Sequence, residues 1–268
     1  MSGQGKFLKI ACWQVGSFRA DVEKNIEALE HQAAAARANG ADLLITPEMF
    51  ITGYNIGERL NTLARTNPLE RLGEIADRHE IAIVAGGPEL VINGEGHEHI
   101  ANAAWVVDDQ GETLSRHHKM QLYGDLDRRH FQQGDKPFTI TEYRGFSVAT
   151  LVCFDVEFPE TVRAAALAGA DFVAVPTAQM EPFGFVNDHL ISTRAWENSL
   201  YIAYVNQIGQ DGELEYVGNS VVSDPFGRQL IRGSKDSEEL LFATIDAEVL
   251  TQAREQNQYL SELRKNFY

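Results

Sequence analysis

FSVATLVCFDVEFPE, residues 146–160, holds the change of pattern that decides the fold. Phe146 to Val152 is a mostly apolar run of strand length, and it ends at Cys153. Such a run fits a strand buried on both faces. Pro159 suits the first turn of a helix, which should run to about Gly169. Phe172 to Val175 then forms another buried strand ending at Pro176. Strand, helix, strand is the unit of a layered α/β protein.

The same alternation extends in both directions. Upstream, Phe7 to Cys12 fits a buried strand, and Asp21 to Ala38 a helix with Val22, Ile26, Leu29 and Ala33 on one face. Asn39-Gly40 is its stop. Leu43 to Thr46 is a short strand running into Pro47-Glu48. A helix over Leu69–His79 leads to a strand over Ile81–Ala85, and Asp108-Asp109-Gln110-Gly111 joins strands at Ala101–Val107 and Glu112–His117. Downstream, the pattern gives a helix over Val186–Asn198, a strand over Tyr201–Asn206 and a hairpin of Ser220–Ser223 with Gln229–Arg232. A strand over Leu240–Ile245 and a helix over Ala247–Gln256 follow. The tail carries Tyr259, Leu260, Leu263, Phe267 and Tyr268. The strand pairs imply mixed sheets rather than one parallel sheet. No Pro/Gly/Ser-rich linker or internal repeat interrupts the chain, so residues 1–268 are expected to form one domain.

The formal net charge of −16 argues against nucleic acid and anionic membrane surfaces as partners, both of which select clustered Lys and Arg. Two cysteines among 268 residues make no disulfide framework. Met-Ser-Gly-Gln-Gly-Lys at the start lacks the long apolar run of a signal peptide, and Leu8 to Trp13 is too short to span a bilayer. The expected location is the cytoplasm.

Chemistry in α/β proteins gathers where strands end and side chains become accessible. Glu48, Cys153 and the segment from Pro176 to Gln179 each follow a short apolar strand. The positive end of the helix near Pro159 is expected to lower the Cys153 thiol pKa and favour a thiolate nucleophile. Taken singly, Cys153 also fits an ordinary core residue, Glu48 a solvated strand-end carboxylate and Lys119 a surface lysine. Cys12, inside a strand-like run without polar company, is expected to be structural. His97-Glu98-His99 lies beside Gly94 and Gly96 in a hairpin loop and does not form a metal pattern.

Three blocks in register change this reading. TPEMFITGYNIG around Glu48, HHKMQLYGDLDRRHFQQGD around Lys119 and LVCFDVEFPE around Cys153 resemble the catalytic blocks of the nitrilase superfamily in order and separation. VPTAQM and RAWEN agree, and the resemblance extends from LKIACWQ to Leu240–Ile245. Within the superfamily, PEMFITGYNIG, GDLDR, EFPE and EYVGNS are similar to bacterial amidases of the 5-aminopentanamidase and stereoselective-amidase kind. The resemblance implies a four-layer αββα sandwich, pairing of protomers into at least a homodimer, and no metal or organic cofactor. It implies an amidase acting on a small carboxamide, with true nitrilase, N-carbamoyl-amine hydrolase and a catalytically silent binding protein as alternatives. It assigns Cys153 as nucleophile, Glu48 as general base and acid, and Lys119 with the Phe154 N–H as oxyanion donors. Tyr54, Phe154, Gln179 and Met180 are candidate pocket lining. Asp127 stands where the family often has a second glutamate, with Asp125 nearby, and Gln121 where it commonly has a histidine. Glu157 and Glu160 are expected to be buried structural residues. Arg194, Glu197 and Asn198 are expected to support their helix or a dimer. Glu181, Glu213 and Glu215 are candidate acids for a cationic substrate tail.

Overall fold

The computed structural model describes residues 5–264, so Phe267 and Tyr268 lie outside the described residues. The strands are β1 (Phe7–Gln14), β2 (Leu43–Ile45), β3 (Ala82–Ile92), β4 (Glu98–Val107), β5 (Thr113–His118), β6 (Thr139–Tyr143), β7 (Phe146–Thr150), β8 (Phe172–Pro176), β9 (Tyr201–Val205), β10 (Ile208–Asp211), β11 (Leu214–Val217), β12 (Val221–Ser223), β13 (Gln229–Arg232) and β14 (Glu239–Asp246). The helices are α1 (Val22–Ala38), α2 (Arg59–Leu63), α3 (Leu69–His79), α4 (Gly124–His130), α5 (Pro159–Leu167), α6 (Ile191–Asn198), α7 (Ala247–Gln256) and α8 (Tyr259–Glu262).

Two mixed sheets follow one plan. The first has the order β14-β1-β2-β3-β4-β5 and the second β13-β12-β9-β8-β7-β6. In each, three neighbouring strands are parallel, β1-β2-β3 and β7-β8-β9, and the flanking strands are antiparallel. Parallel neighbours need crossover connections. Helix α1 carries the chain from β1 to β2, α5 from β7 to β8 and α6 from β8 to β9.

Alternation along each strand builds the layers. Leu8, Ile10 and Cys12 of β1 and Leu43 and Ile45 of β2 face Val148, Phe172, Ala174 and Ala203 of the second sheet, forming the central core. The intervening residues Ala11, Trp13 and Leu44 pack outward against Ile26 and Leu29 of α1 and Leu72 and Ile75 of α3. Ala149, Val173 and Ile202 pack outward against Val162 of α5 and Ile191 of α6. The result is helix, sheet, sheet, helix. Both faces of the parallel strands are covered, which explains their continuous apolar character. Among the described residues no helix is long and apolar enough to cross a membrane.

Local chemistry sets the helix ends. Asp21 Oδ1 accepts the Lys24 N–H at 3.2 Å at the start of α1. Asn39 closes it and Gly40 follows at φ +77°. The helix expected over Val186–Asn198 differs in detail: Val186–Leu190 is a π-helical turn and regular α-helix begins at Ile191.

Candidate active site

The four loops that follow β2, β5, β7 and β8 converge. They carry Glu48, Lys119, Cys153 and Thr177–Gln179 respectively. Two close backbone approaches hold the first pair in place. At Gly86 a Cβ would lie 2.6 Å from Pro47 O and 2.9 Å from Glu48 Cα. At Gly134 a Cβ would lie 2.1 Å from His118 O, while the Gly134 N–H bonds Lys119 O at 2.9 Å. Any side chain at either position would push the segment carrying Glu48 or Lys119 away.

Lys119 is fully buried rather than a surface lysine. Its Nζ lies 2.7 Å from Glu48 Oε1 and 2.8 Å from Asp127 Oδ2. Burial works against its charge, but Asp127 and Glu48, with Tyr54 and Cys153, hold its pKa well above the ordinary lysine value. Asp127 is therefore the second carboxylate on the lysine, and its shorter side chain reaches. Its other oxygen accepts the Tyr54 hydroxyl at 2.5 Å, and Oδ2 also takes the Tyr123 N–H at 2.9 Å. Asp125, by contrast, is exposed.

Glu48 is fully buried. Oε1 accepts from Lys119 and from Asn102 Nδ2, each at 2.7 Å. Oε2 is buried with no hydrogen-bond partner among the described residues. Burial raises the Glu48 pKa, and Asp127 adds to this, against Lys119 and Asn102. One oxygen is thus fixed and the other left free for a proton. Gln207 Nε2 donates to the Glu48 carbonyl at 2.8 Å, completing the cradle.

Cys153 sits at the start of a 3₁₀ turn, Cys153–Glu157, with φ +46°. A non-glycine residue in this region is strained, typically by about 1–3 kcal/mol. Met49, next to Glu48, is similarly at φ +54°. Asp155 braces the elbow: its carboxylate accepts the Val152 N–H at 3.1 Å and the Gln121 N–H at 2.7 Å, and lies 3.2 Å from His117 Nε2. The expected lowering of the thiol pKa is overturned. Burial, then the Glu48 charge, push the Cys153 thiol up, and Lys119, the Thr177 hydroxyl and the Ala178 N–H only partly oppose them. Five residues separate Cys153 from Pro159, the first residue of α5.

The candidate lining divides. Tyr54 is committed to Asp127 and positions it. Phe154 stacks edge-on against Tyr123 at 5.2 Å and Phe158 at 5.0 Å. The Gln179 side chain donates to Phe183 O at 3.2 Å and to Glu157 Oε1 at 3.4 Å. Met180 is partly buried and bridges Tyr216. Glu157 is half-buried, but Glu160 is exposed, contrary to its expected burial. Arg194 is buried and donates to the carbonyls of Val156 and Glu157, so α6 supports the loop that carries Cys153. Of the acids expected to meet a cationic tail, Glu181 and Glu215 flank Lys235 at 2.8 and 3.8 Å, and Glu213 is exposed. His118 turns away to Glu89, at 2.8 Å. Asn102, Asp155 and Gln207 were missed by sequence reasoning. Their one signal is a polar residue within or just after an apolar strand.

Cys12 lies between the sheets in the central core, where burial alone pushes its thiol pKa up. Cys12→Ala is expected to keep activity within a few-fold and to lower stability by about 1–2 kcal/mol, read by ammonia assay and denaturant unfolding.

A carbon–nitrogen hydrolase family model matches residues 9–255. A Pseudomonas protegens hydrolase of the pqqF 5′ region is 39% identical over 267 residues, covering 98% of this chain and 91% of its own. An (R)-stereoselective amidase of a Pseudomonas species is 32% identical, covering 96% and 92%. The amidase from Nesterenkonia sp. AN1 is 32% identical in two structures. A double mutant with acrylamide gives a TM-score of 0.87 over 100% of this chain and 98% of that one. A form with the acetamide moiety of fluoroacetamide added covalently at the active-site cysteine gives 0.85 over 100% and 97%. The chain belongs to the carbon–nitrogen hydrolase family, within the nitrilase superfamily, and its fold is that of nitrilase-superfamily amidases.

Proposed function

We propose that this enzyme is an amidase that hydrolyses a small carboxamide through a thioester on Cys153. The observation that carries the reading is Glu48. One of its oxygens is held by Lys119 and Asn102, and the other is buried and unpartnered in a site that also buries the thiol. A carboxylate with a raised pKa is a better base, and it can take the thiol proton as sulfur attacks. The S–C bond forms and the amide oxygen becomes an oxyanion, received by the Lys119 ammonium and the Phe154 N–H. Collapse breaks the C–N bond while Glu48 passes its proton to the nitrogen, and ammonia leaves. Water then attacks the thioester, giving a proton to Glu48, and the acid departs as that proton returns to sulfur. Amide and water become acid and ammonia. Asp127 keeps Lys119 charged and fixed. No step calls for a cofactor.

Ammonia release from matched amide and nitrile pairs tests this reading. Amides should turn over and the nitriles should not. Nitrile turnover alone would replace the proposal with a nitrilase, and carbon dioxide release with an N-carbamoyl-amine hydrolase. Protection of Cys153 by substrate against iodoacetamide separates an enzyme site from a silent scaffold.

The working unit is proposed to be at least a homodimer. Trp196 on α6 and Tyr259 on α8 are 42% and 51% exposed, an apolar surface beside the C-terminal tail. Light scattering at micromolar protein should give a dimeric or larger mass, and a monomeric mass would refute it.

A further inference from the structure

The groups of the proposed site come from two different sheets. Glu48 follows β2 and Lys119 follows β5 in the first sheet, whereas Cys153 follows β7 and Thr177–Gln179 follow β8 in the second. Attack on a bound amide needs the two halves in fixed register, since sulfur and the Phe154 N–H stand on one, the carboxylate and the ammonium on the other. Glu48 has its own ties across the gap: its N–H donates to Thr177 O at 3.3 Å, and its carbonyl accepts from Gln207 Nε2 at 2.8 Å. On the Lys119 side the tie is Asp155.

Asp155 is fully buried, two residues after Cys153. Its Oδ2 accepts the Val152 N–H at 3.1 Å and so holds the residue before Cys153. Oδ1 accepts the Gln121 N–H at 2.7 Å, two residues beyond Lys119. His117, fully buried and two residues before Lys119, has Nε2 3.2 Å from Oδ2. A carboxylate only accepts, so the His117 Nε2–H donates. Both flanks of Lys119 are thereby fastened to one carboxylate in the turn that carries Cys153. In the β4–β5 ladder His117 stands opposite Ala104, and Ala104 packs against Val152 and Cys153. The imidazole thus crosses from the first sheet to the second next to that turn.

Packing does not account for a histidine here. Its Nδ1 is buried with no hydrogen-bond partner among the described residues, and an unpaired buried nitrogen destabilises a fold relative to an apolar ring of similar size. What histidine adds is the Nε2–H toward Asp155.

We infer that His117 is a positioning residue: through Asp155 it fixes the Cys153 turn, and with it the sulfur and the Phe154 N–H, against Lys119, so that the rate of acylation depends on it. This rests on the amidase reading above and adds to it a residue that acts only through another.

The experiment compares His117→Phe, which keeps a ring and removes the donor, with His117→Gln, whose amide nitrogen stands about as far from the backbone as Nε2. Enzyme is held in excess over the amide, so that ammonia reports acylation alone. The maximal rate should fall by about tenfold or more in His117→Phe, the scale of effect that a small misplacement of reacting groups produces. The half-saturating enzyme concentration should change by less than about threefold. His117→Gln should be faster than His117→Phe by about fivefold or more. Should phenylalanine prevent folding, His117→Asn, whose amide nitrogen stops short of Asp155, takes its place with the same expected loss. A smaller fall in the folded variant, a loss carried by half-saturation alone, or a failure of glutamine to restore the rate overturns the inference and leaves the amidase reading intact. If the unmodified enzyme releases no ammonia from any amide, the amidase reading fails, and the rate of Cys153 alkylation by iodoacetamide decides the role of His117. A fall of about fivefold or more in His117→Phe, restored by His117→Gln, upholds it. A smaller change, or one that glutamine does not restore, overturns it.

Discussion

Cys153→Ala will reduce ammonia release from the best amide by on the order of 10⁴-fold or more while the protein remains folded. The other groups of the proposed site, Glu48, Lys119 and Asp127, would stay in place, because their mutual bonds do not involve the sulfur. They could still bind an amide and polarise its carbonyl. An amide, however, has a poor leaving group, and without the thiol the reaction returns to direct attack by water. Stability should change by no more than about 3 kcal/mol, since one buried atom is lost and alanine meets the same φ of +46°. Circular dichroism and denaturant unfolding check the fold. Full ammonia release by the purified variant would move the nucleophile elsewhere.

Lys119→Met is expected to lower kcat by at least on the order of 10² to 10³, the usual effect of losing an oxyanion donor. It should also destabilise the fold by about 3–5 kcal/mol, because Glu48 and Asp127 would remain buried without their shared cation. The second effect distinguishes this site from a surface lysine, whose removal changes stability by less than about 0.5 kcal/mol. Adding Asp127→Asn removes one stranded charge and should recover part of the stability but none of the activity. Urea unfolding of the single and double variants provides the measurement. An unchanged unfolding midpoint for Lys119→Met would contradict the buried triad.

The alternation of strands and helices was legible where apolar periodicity was strong, whereas the four-layer order followed only from the family resemblance. Helices Leu69–His79 and Ala247–Gln256 match their expected bounds, and the strands at Cys12, Ile45, Val148 and Val175 are in place. The unread elements carry little apolar signal. Strand β6, TITEY, is the edge of its sheet, and the β10–β11 hairpin pairs IGQD with LEYV. Helix α4, GDLDRRH, is polar nearly throughout. Such segments are held by their neighbours rather than by their own pattern.

The site was legible unevenly. Glu48, Lys119 and Cys153 emerge as a set only because three blocks stand in register, and Lys119 alone fits a surface residue. The thiol pKa was misjudged because a helix start is visible in sequence, whereas complete burial beside Glu48 arises from four loops meeting. Asn102, Asp155 and Gln207 escaped for the same reason. Each fixes a partner more than 30 residues away, and no local spacing encodes that.

The most direct test of the account is a single-turnover reaction, with enzyme in excess over a good amide, quenched in acid at successive times. Ammonia, acid and the mass of the peptide containing Cys153 are followed together. The account predicts that ammonia appears with an acyl group on Cys153 and that the acid appears later, as the acyl group is lost. Ammonia and acid rising together at every time, with Cys153 unmodified or the acyl group on another residue, would contradict it.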